Sequence, residues 1–125
     1  SLFNLPTVLL SFGAIAPTSS VLLIPLPFTL VLLMTNSQIA QVLLTLFGEN
    51  GEGWCQGSFA KIAGKPVILD KMNEADQWCM VGGILHLQLI PDSSFYRNFP
   101  TTLVEFNDSH TWEEIKSALL AIANR

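Results

Sequence analysis

The first part of this chain lacks charge. Residues 1–48 contain no Asp, Glu, Lys or Arg, and all ten acidic and six basic residues lie within 49–125. The uncharged stretch therefore accounts for the high hydrophobic fraction of 50% and the mean hydropathy of +0.44. A length of 125 residues is typical of one domain with a modest core. We expect an uncharged apolar segment over 1–35 and a globular α+β domain over 36–125.

The chain also lacks a basic cluster. Its net charge is −4 and its pI is near 4.9. Lys61, Lys65 and Lys71 come closest to a patch, but Asp70 and Glu74 dilute it. Because clustered Lys and Arg supply most of the affinity for a phosphate backbone, nucleic acid is excluded as a partner.

Cysteine and histidine are scarce and poorly spaced for a metal. Cys55 and Cys79 lie 24 residues apart, as do His86 and His110, without the short Cys-x-x-Cys or His-x-x-x-His spacing of zinc ligands. We therefore predict no metal site and no cofactor. Two cysteines could bridge, but without a disulfide framework or a signal peptide we expect reduced thiols in a cytoplasmic protein.

Residues 5–34 form an apolar run long enough to cross a bilayer, which takes roughly 20 residues. Pro17, Pro25 and Pro27 interrupt the run, and no Lys or Arg flanks it. Three interpretations remain open: a membrane anchor or re-entrant hairpin, buried strands of the fold, or an extension upstream of the true start. Under the first, the protein is membrane-associated through residues 5–34.

A first helix is predicted from about Ser37 to Gly48. Thr35, Asn36 and Ser37 are candidate N-caps, and Gly48 suits the position just beyond the C-terminus. One apolar face recurs at helical spacing: Ile39, Val42, Leu43, Leu46 and Phe47.

The next segment predicts a short hairpin. Residues 57–62 and 67–69 flank the turn sequence Ala63-Gly64-Lys65-Pro66. Because two strands alone are marginal in water, we expect the hairpin to pack on the helices.

A longer central helix is predicted from Asp70 or Asn73 to about Ile90, where Pro91 ends it. If Asn73 is the cap, Cys79 lies in the second turn of this helix, where a thiolate is weakly favoured. His86 is about 10 Å further along the helix, too far for a direct hydrogen bond.

The C-terminal third predicts a loop over 92–100, a short strand over 101–106 and a last helix. The sequence Thr111-x-x-Glu114 fits a capping box. The apolar face of the helix behind it consists of Ile115, Ala118, Leu119 and Ile122. The whole is a mostly helical α+β domain with about three helices on a short antiparallel sheet.

Three short motifs carry a resemblance: Gly53-Trp54-Cys55-Gln56-Gly57, Trp78-Cys79 followed by Gly82-Gly83, and Phe106-Asn107-Asp108. In this order they resemble an uncharacterised small-domain family of bacteria and phages, with the pattern Gly-Trp-x-x-Gly, Trp-Cys-x-x-Gly and aromatic-Asn-Asp. The similarity covers about residues 38–124 and implies a small, mostly helical domain of no assigned activity. Gly83, where the family more often has Ala, is a departure, and residues 1–36 lie outside the pattern.

The leading hypothesis is a small non-enzymatic interaction or regulatory domain that binds a protein, because each candidate catalytic residue also has a simple structural role. The expected binding residues are Trp54, Cys55, Trp78, Asn107 and Asp108.

Two alternatives belong to other classes. One is a cysteine-dependent hydrolase or transferase with Cys79 (or Cys55) as nucleophile, His110 as base and Asp108 or Asn107 as orienting group. The other is a membrane-tethered accessory protein, which depends only on the uncharged N-terminal residues.

Overall fold

The computed structural model describes residues 34–125. This part of the chain folds as the predicted α+β domain, with short strands inserted between helices. In chain order the elements are α1 Asn36–Phe47, β1 Ala60–Ile62, β2 Lys65–Pro66, a 3-10 helix Leu69–Glu74, β3 Gln77–Trp78, α2 Met80–His86, α3 Ser93–Tyr96, α4 Leu103–Ser109 and α5 Trp112–Ala123. The three interpretations of the apolar run over 5–34 concern residues outside the described range, apart from Met34. None of the helices within 34–125 is long and apolar enough to cross a membrane.

The two longest helices, α1 and α5, pack against each other and form the base of the core. Each begins with a capping box, Thr35 with Gln38 and Thr111 with Glu114, so the second box is confirmed as predicted. The helices run antiparallel: the Ser37 hydroxyl at the start of α1 donates to the Ala123 carbonyl at the end of α5. The buried residues on their facing surfaces include Ile39, Val42, Leu43, Phe47, Ile115, Leu119 and Ile122.

The predicted hairpin is present, but it is tighter than expected. β1 pairs antiparallel with β2 on one side and with β3 on the other, giving the order β2-β1-β3. Ala63 and Gly64 alone form the turn, with φ of 51° and 81°. Two consecutive residues with positive φ are typical of a type I′ turn, which matches the twist of the strands.

The prediction of one long helix over 70–90 is wrong. The segment instead contains the 3-10 helix, β3 and the seven-residue α2. Trp78 explains the interruption, since its N–H donates to the Gly53 carbonyl and its carbonyl accepts from the Cys55 N–H. These bonds to another part of the chain outweigh the local helical spacing. Cys79 is therefore the N-cap of α2 rather than a residue of a second turn.

The predicted strand over 101–106 is also wrong, and the predicted loop over 92–100 contains α3. Thr102 caps α4 by accepting a hydrogen bond from the Glu105 N–H. Leu103 and Phe106 are both buried. Residues three apart lie on the same face of a helix, whereas in a strand they would point to opposite faces. Asn107 lies inside this helix and is fully buried.

Helix α2 lies against the β1 segment at Gly82. A Cβ atom at Gly82 would lie 1.9 Å from the Phe59 carbonyl oxygen, so only glycine fits there. The Cys79 N–H donates to the same carbonyl at 3.1 Å. This close approach fixes the start of α2 against the chain that enters the sheet.

His86 is a buried titratable group in the core, with only 4% of its surface exposed. Its ring stacks on Trp78, with centroids 4.3 Å apart, and Nδ1–H donates to Asn73 Oδ1 at 2.8 Å. Nε2 has no hydrogen-bond partner within residues 34–125. Burial lowers the pKa of His86 below 6.5, because a charged imidazolium would lose its hydration there.

We predict that the free energy of unfolding decreases as pH falls from about 7.5 to about 5.5. The unfolded chain binds a proton at His86 near pH 6.5, whereas the folded chain resists it, so acid favours the unfolded state. Urea unfolding at several pH values measures this slope. His86→Phe should flatten it. An unchanged slope in His86→Phe would contradict the assignment.

Candidate functional site

Asn107 holds together three segments that are distant in the sequence. Its Oδ1 accepts the Trp54 indole N–H at 2.7 Å and the Met80 backbone N–H at 3.0 Å. Its Nδ2 donates to the Cys55 carbonyl and to Asp108 Oδ1, both at 3.0 Å. A primary amide has two acceptor positions and two donor hydrogens, so every hydrogen-bonding position of this fully buried side chain is occupied. We call these five residues the Asn107 hub.

The loop before β1 is attached to the end of α4 by further hydrogen bonds. Gln56 Nε2 donates to the backbone carbonyls of Asn107 at 3.1 Å and His110 at 2.7 Å. The Gly57 N–H donates to Asp108 Oδ1 at 3.1 Å. Asp108 Oδ1 therefore accepts two hydrogen bonds, from Gly57 and Asn107, which fix the orientation of its carboxylate.

The two tryptophans predicted to bind a partner are largely used inside the fold. Trp54 and Trp78 form a parallel bridge, and Trp78 is only 8% exposed. The Trp78 indole N–H donates to the Met72 carbonyl at 3.0 Å. Trp54 packs on Trp112 with ring centroids 5.7 Å apart. With Cys55 and Asn107 also buried, Asp108 alone among the predicted binding residues is exposed.

An open cleft of about 480 Å³ lies beside the hub. We call it the apolar cleft. It is lined by Gly57, Ser58, Phe59, Val67, Ile68, Leu69, Cys79, Val104 and Asp108. Four of its apolar residues are well exposed: Phe59 at 40%, Ile68 at 65%, Leu69 at 56% and Val104 at 41%. Exposed apolar residues gathered around one concavity are typical of a binding surface.

The apolar residues of the cleft were not predicted as site residues. The sequence predicts a strand over 67–69 and places Val104 in a second strand over 101–106. A weak signal was present, because Ile68 and Leu69 stand directly before the polar run Asp70-Lys71, where a surface location is expected. Their convergence with Val104 of α4 follows only from the tertiary fold.

The residues of the predicted cysteine-dependent site are only partly brought together. Cys79 and Asp108 both line the apolar cleft. The His110 ring instead stacks on Phe106, with centroids 3.9 Å apart, and its Nδ1 lies 2.8 Å from the Phe106 carbonyl and 3.0 Å from Ser109 Oγ. Within residues 34–125, no hydrogen bond joins His110 to Cys79 or to Asp108.

The environment of the two free, buried thiols disfavours the thiolate form. Burial, followed by the neighbouring Cys79, raises the pKa of Cys55 to about 11. Burial also raises the pKa of Cys79, although the thiol accepts the Gly82 N–H at 3.3 Å. Because the thiolate is the nucleophile, this geometry does not favour covalent catalysis by either cysteine.

We predict that Asn107→Ala lowers the free energy of unfolding by about 3 kcal/mol, because it leaves buried groups of Trp54, Cys55 and Met80 without partners. Chemical denaturation measures the change. Asn124→Ala, at the exposed end of α5, is the matched control and should change stability by less than about 0.5 kcal/mol. Equal effects of the two substitutions would contradict the role of the hub.

We also predict slow alkylation of both thiols by iodoacetamide in the folded protein. The pKa of about 11 at Cys55 leaves roughly one thiolate in ten thousand at neutral pH, about a hundredfold less than an ordinary cysteine. Burial raises the pKa of Cys79 in the same direction. Mass spectrometry of Cys55 and Cys79 over time, with urea-unfolded protein as the control, measures the rates. Rapid modification of Cys79 at neutral pH would contradict this prediction and would favour the cysteine-dependent alternative.

In comparisons with known proteins, no protein-family model, no curated protein and no solved structure matches this chain. The resemblance to the uncharacterised bacterial and phage family therefore stays a prediction.

Proposed function

We propose that this domain is a small protein-interaction module whose binding surface is the apolar cleft. The observation that carries the proposal is the exposure of Phe59, Ile68, Leu69 and Val104 around a single concavity. Removal of these side chains from water by an apolar partner segment would be favourable in proportion to the area buried.

The walls of the cleft suit a binding role because their backbone is held in place. The Val67 N–H donates to the Ala60 carbonyl, and the Lys71 N–H donates to the Ile68 carbonyl. On the opposite side, Val104 belongs to α4, whose end is tied to the 53–57 loop through Asn107. A preformed surface binds without first ordering its own chain, which lowers the cost of association.

The occupant that we propose is a short segment of another protein with bulky apolar side chains. The cleft volume of about 480 Å³ lies in the lower half of the range for binding pockets and accommodates a few side chains rather than a whole domain. Its open shape and exposed rim suit a chain that passes along the surface.

Peptide selection tests this function directly. The full chain is immobilised and used to select from a phage-displayed library of random peptides, and one enriched peptide is synthesised and titrated by calorimetry. We expect enriched peptides to share bulky apolar residues. Val104→Glu should weaken their binding by about tenfold, since it places a charge on the apolar wall.

Ser117→Glu is the matched control, because it adds the same charge at an exposed position of α5 outside the cleft. It should bind as the unmodified chain does, and thermal unfolding should show both variants folded. A library without enrichment, or equal binding by the Val104→Glu variant, would refute the proposal.

A further inference from the structure

We propose that Asp108 makes the apolar cleft selective for a basic side chain, so that the partner segment presents a lysine or arginine beside its apolar residues. This inference rests on the proposed function and adds the chemistry of the partner. Its basis is the charge and the hydrogen bonding of the residues that line the cleft.

The cleft has an uncompensated negative charge. Among its lining residues, Asp108 alone is charged. Within residues 34–125 the one ion pair joins Lys116 to Glu49, so Asp108 has no cationic partner there. A cation brought by a ligand would therefore meet a carboxylate whose charge no described basic group has already neutralised.

The carboxylate of Asp108 is also oriented before a ligand arrives. Gly57 N–H and Asn107 Nδ2 both donate to Oδ1. Oδ2 has no hydrogen-bond partner in the described part of the chain and is the oxygen left for a ligand. The Asn107 donor is itself fixed in the hub, so the carboxylate is held in one orientation among lining residues that include the apolar Phe59 and Val104.

The single free oxygen limits the form of recognition. Oδ1 already accepts two hydrogen bonds, so the forked, two-oxygen contact that distinguishes arginine from lysine is not open to a ligand. We therefore expect selectivity for positive charge with little preference between an ammonium and a guanidinium group.

Four small probes with the same alkyl body test this inference on the full chain. They are pentylammonium, pentylguanidinium, pentan-1-ol and hexanoate, each titrated into isotopically labelled protein and followed by NMR shifts of the Gly57 amide and the Val104 methyl groups. We expect both cations to bind about fivefold more tightly than the alcohol, the scale of an exposed ion pair, and hexanoate to bind most weakly.

Asp108→Asn should abolish the preference for cations over the alcohol while keeping an oxygen that can accept from Gly57 and Asn107. Glu113→Gln is the matched control, because it makes the same change in net charge at an exposed position outside the cleft. It should leave the preference unchanged, which separates recognition by Asp108 from general attraction to an acidic chain.

The outcomes separate this inference from the proposed function. Equal binding of cation and alcohol by the unmodified chain would overturn selectivity for a basic group, yet shifts at Val104 would still support an apolar binding surface. The same comparison within the unmodified chain decides the question even if the Asp108→Asn variant fails to fold. Absence of shifts at Gly57 and Val104 with all four probes would overturn both proposals.

Discussion

The rest of this domain depends on the hydrogen bonds of the Asn107 side chain. Three of its four hydrogen bonds join α4 to the loop before β1 and to the first residue of α2, both of which are distant from α4 in the sequence. A buried amide is costly unless all of its groups are paired, and here they all are. The strands are too short to hold the sheet by themselves. The hub therefore supplies the long-range hydrogen bonds that such a short sheet lacks. It also places the cleft residues of the loop beside those of α4.

Local signals in the sequence predicted the outer helices well. The caps at Thr35 and Thr111 and the apolar faces behind them need only neighbouring residues, so α1 and α5 could be recognised from the sequence. The hairpin could be recognised for a similar reason, since a Gly-containing turn between two strand-like segments is a short-range feature. The helices α1 and α5 form the base of the core, and they contribute none of the residues of the apolar cleft.

The middle of the chain could not be predicted in the same way, because long-range hydrogen bonds decide its structure. Trp78 has helical spacing with its neighbours, but its backbone pairs with Gly53 and Cys55. Asn107 is a common loop residue, and only the Trp54 and Met80 groups that it meets make it a buried helical one. Of the residues predicted to bind, Trp54, Cys55, Trp78 and Asn107 build the frame beside the apolar cleft. Their role in the described structure is internal, however, and the exposed apolar residues around Asp108 come together only through that frame.

The contact at Gly82 has a consequence for the rigidity of the chain around it. The Phe59 carbonyl lies where a Cβ atom of residue 82 would be, so main chain meets main chain here without an intervening side chain. Backbone atoms in direct contact have no rotamers to exchange, unlike a contact made by long side chains. The Cys79 N–H donates to the same Phe59 carbonyl. The backbone of Phe59 and Cys79, two residues that line the cleft, is therefore held in one relative position whichever rotamers their neighbours adopt.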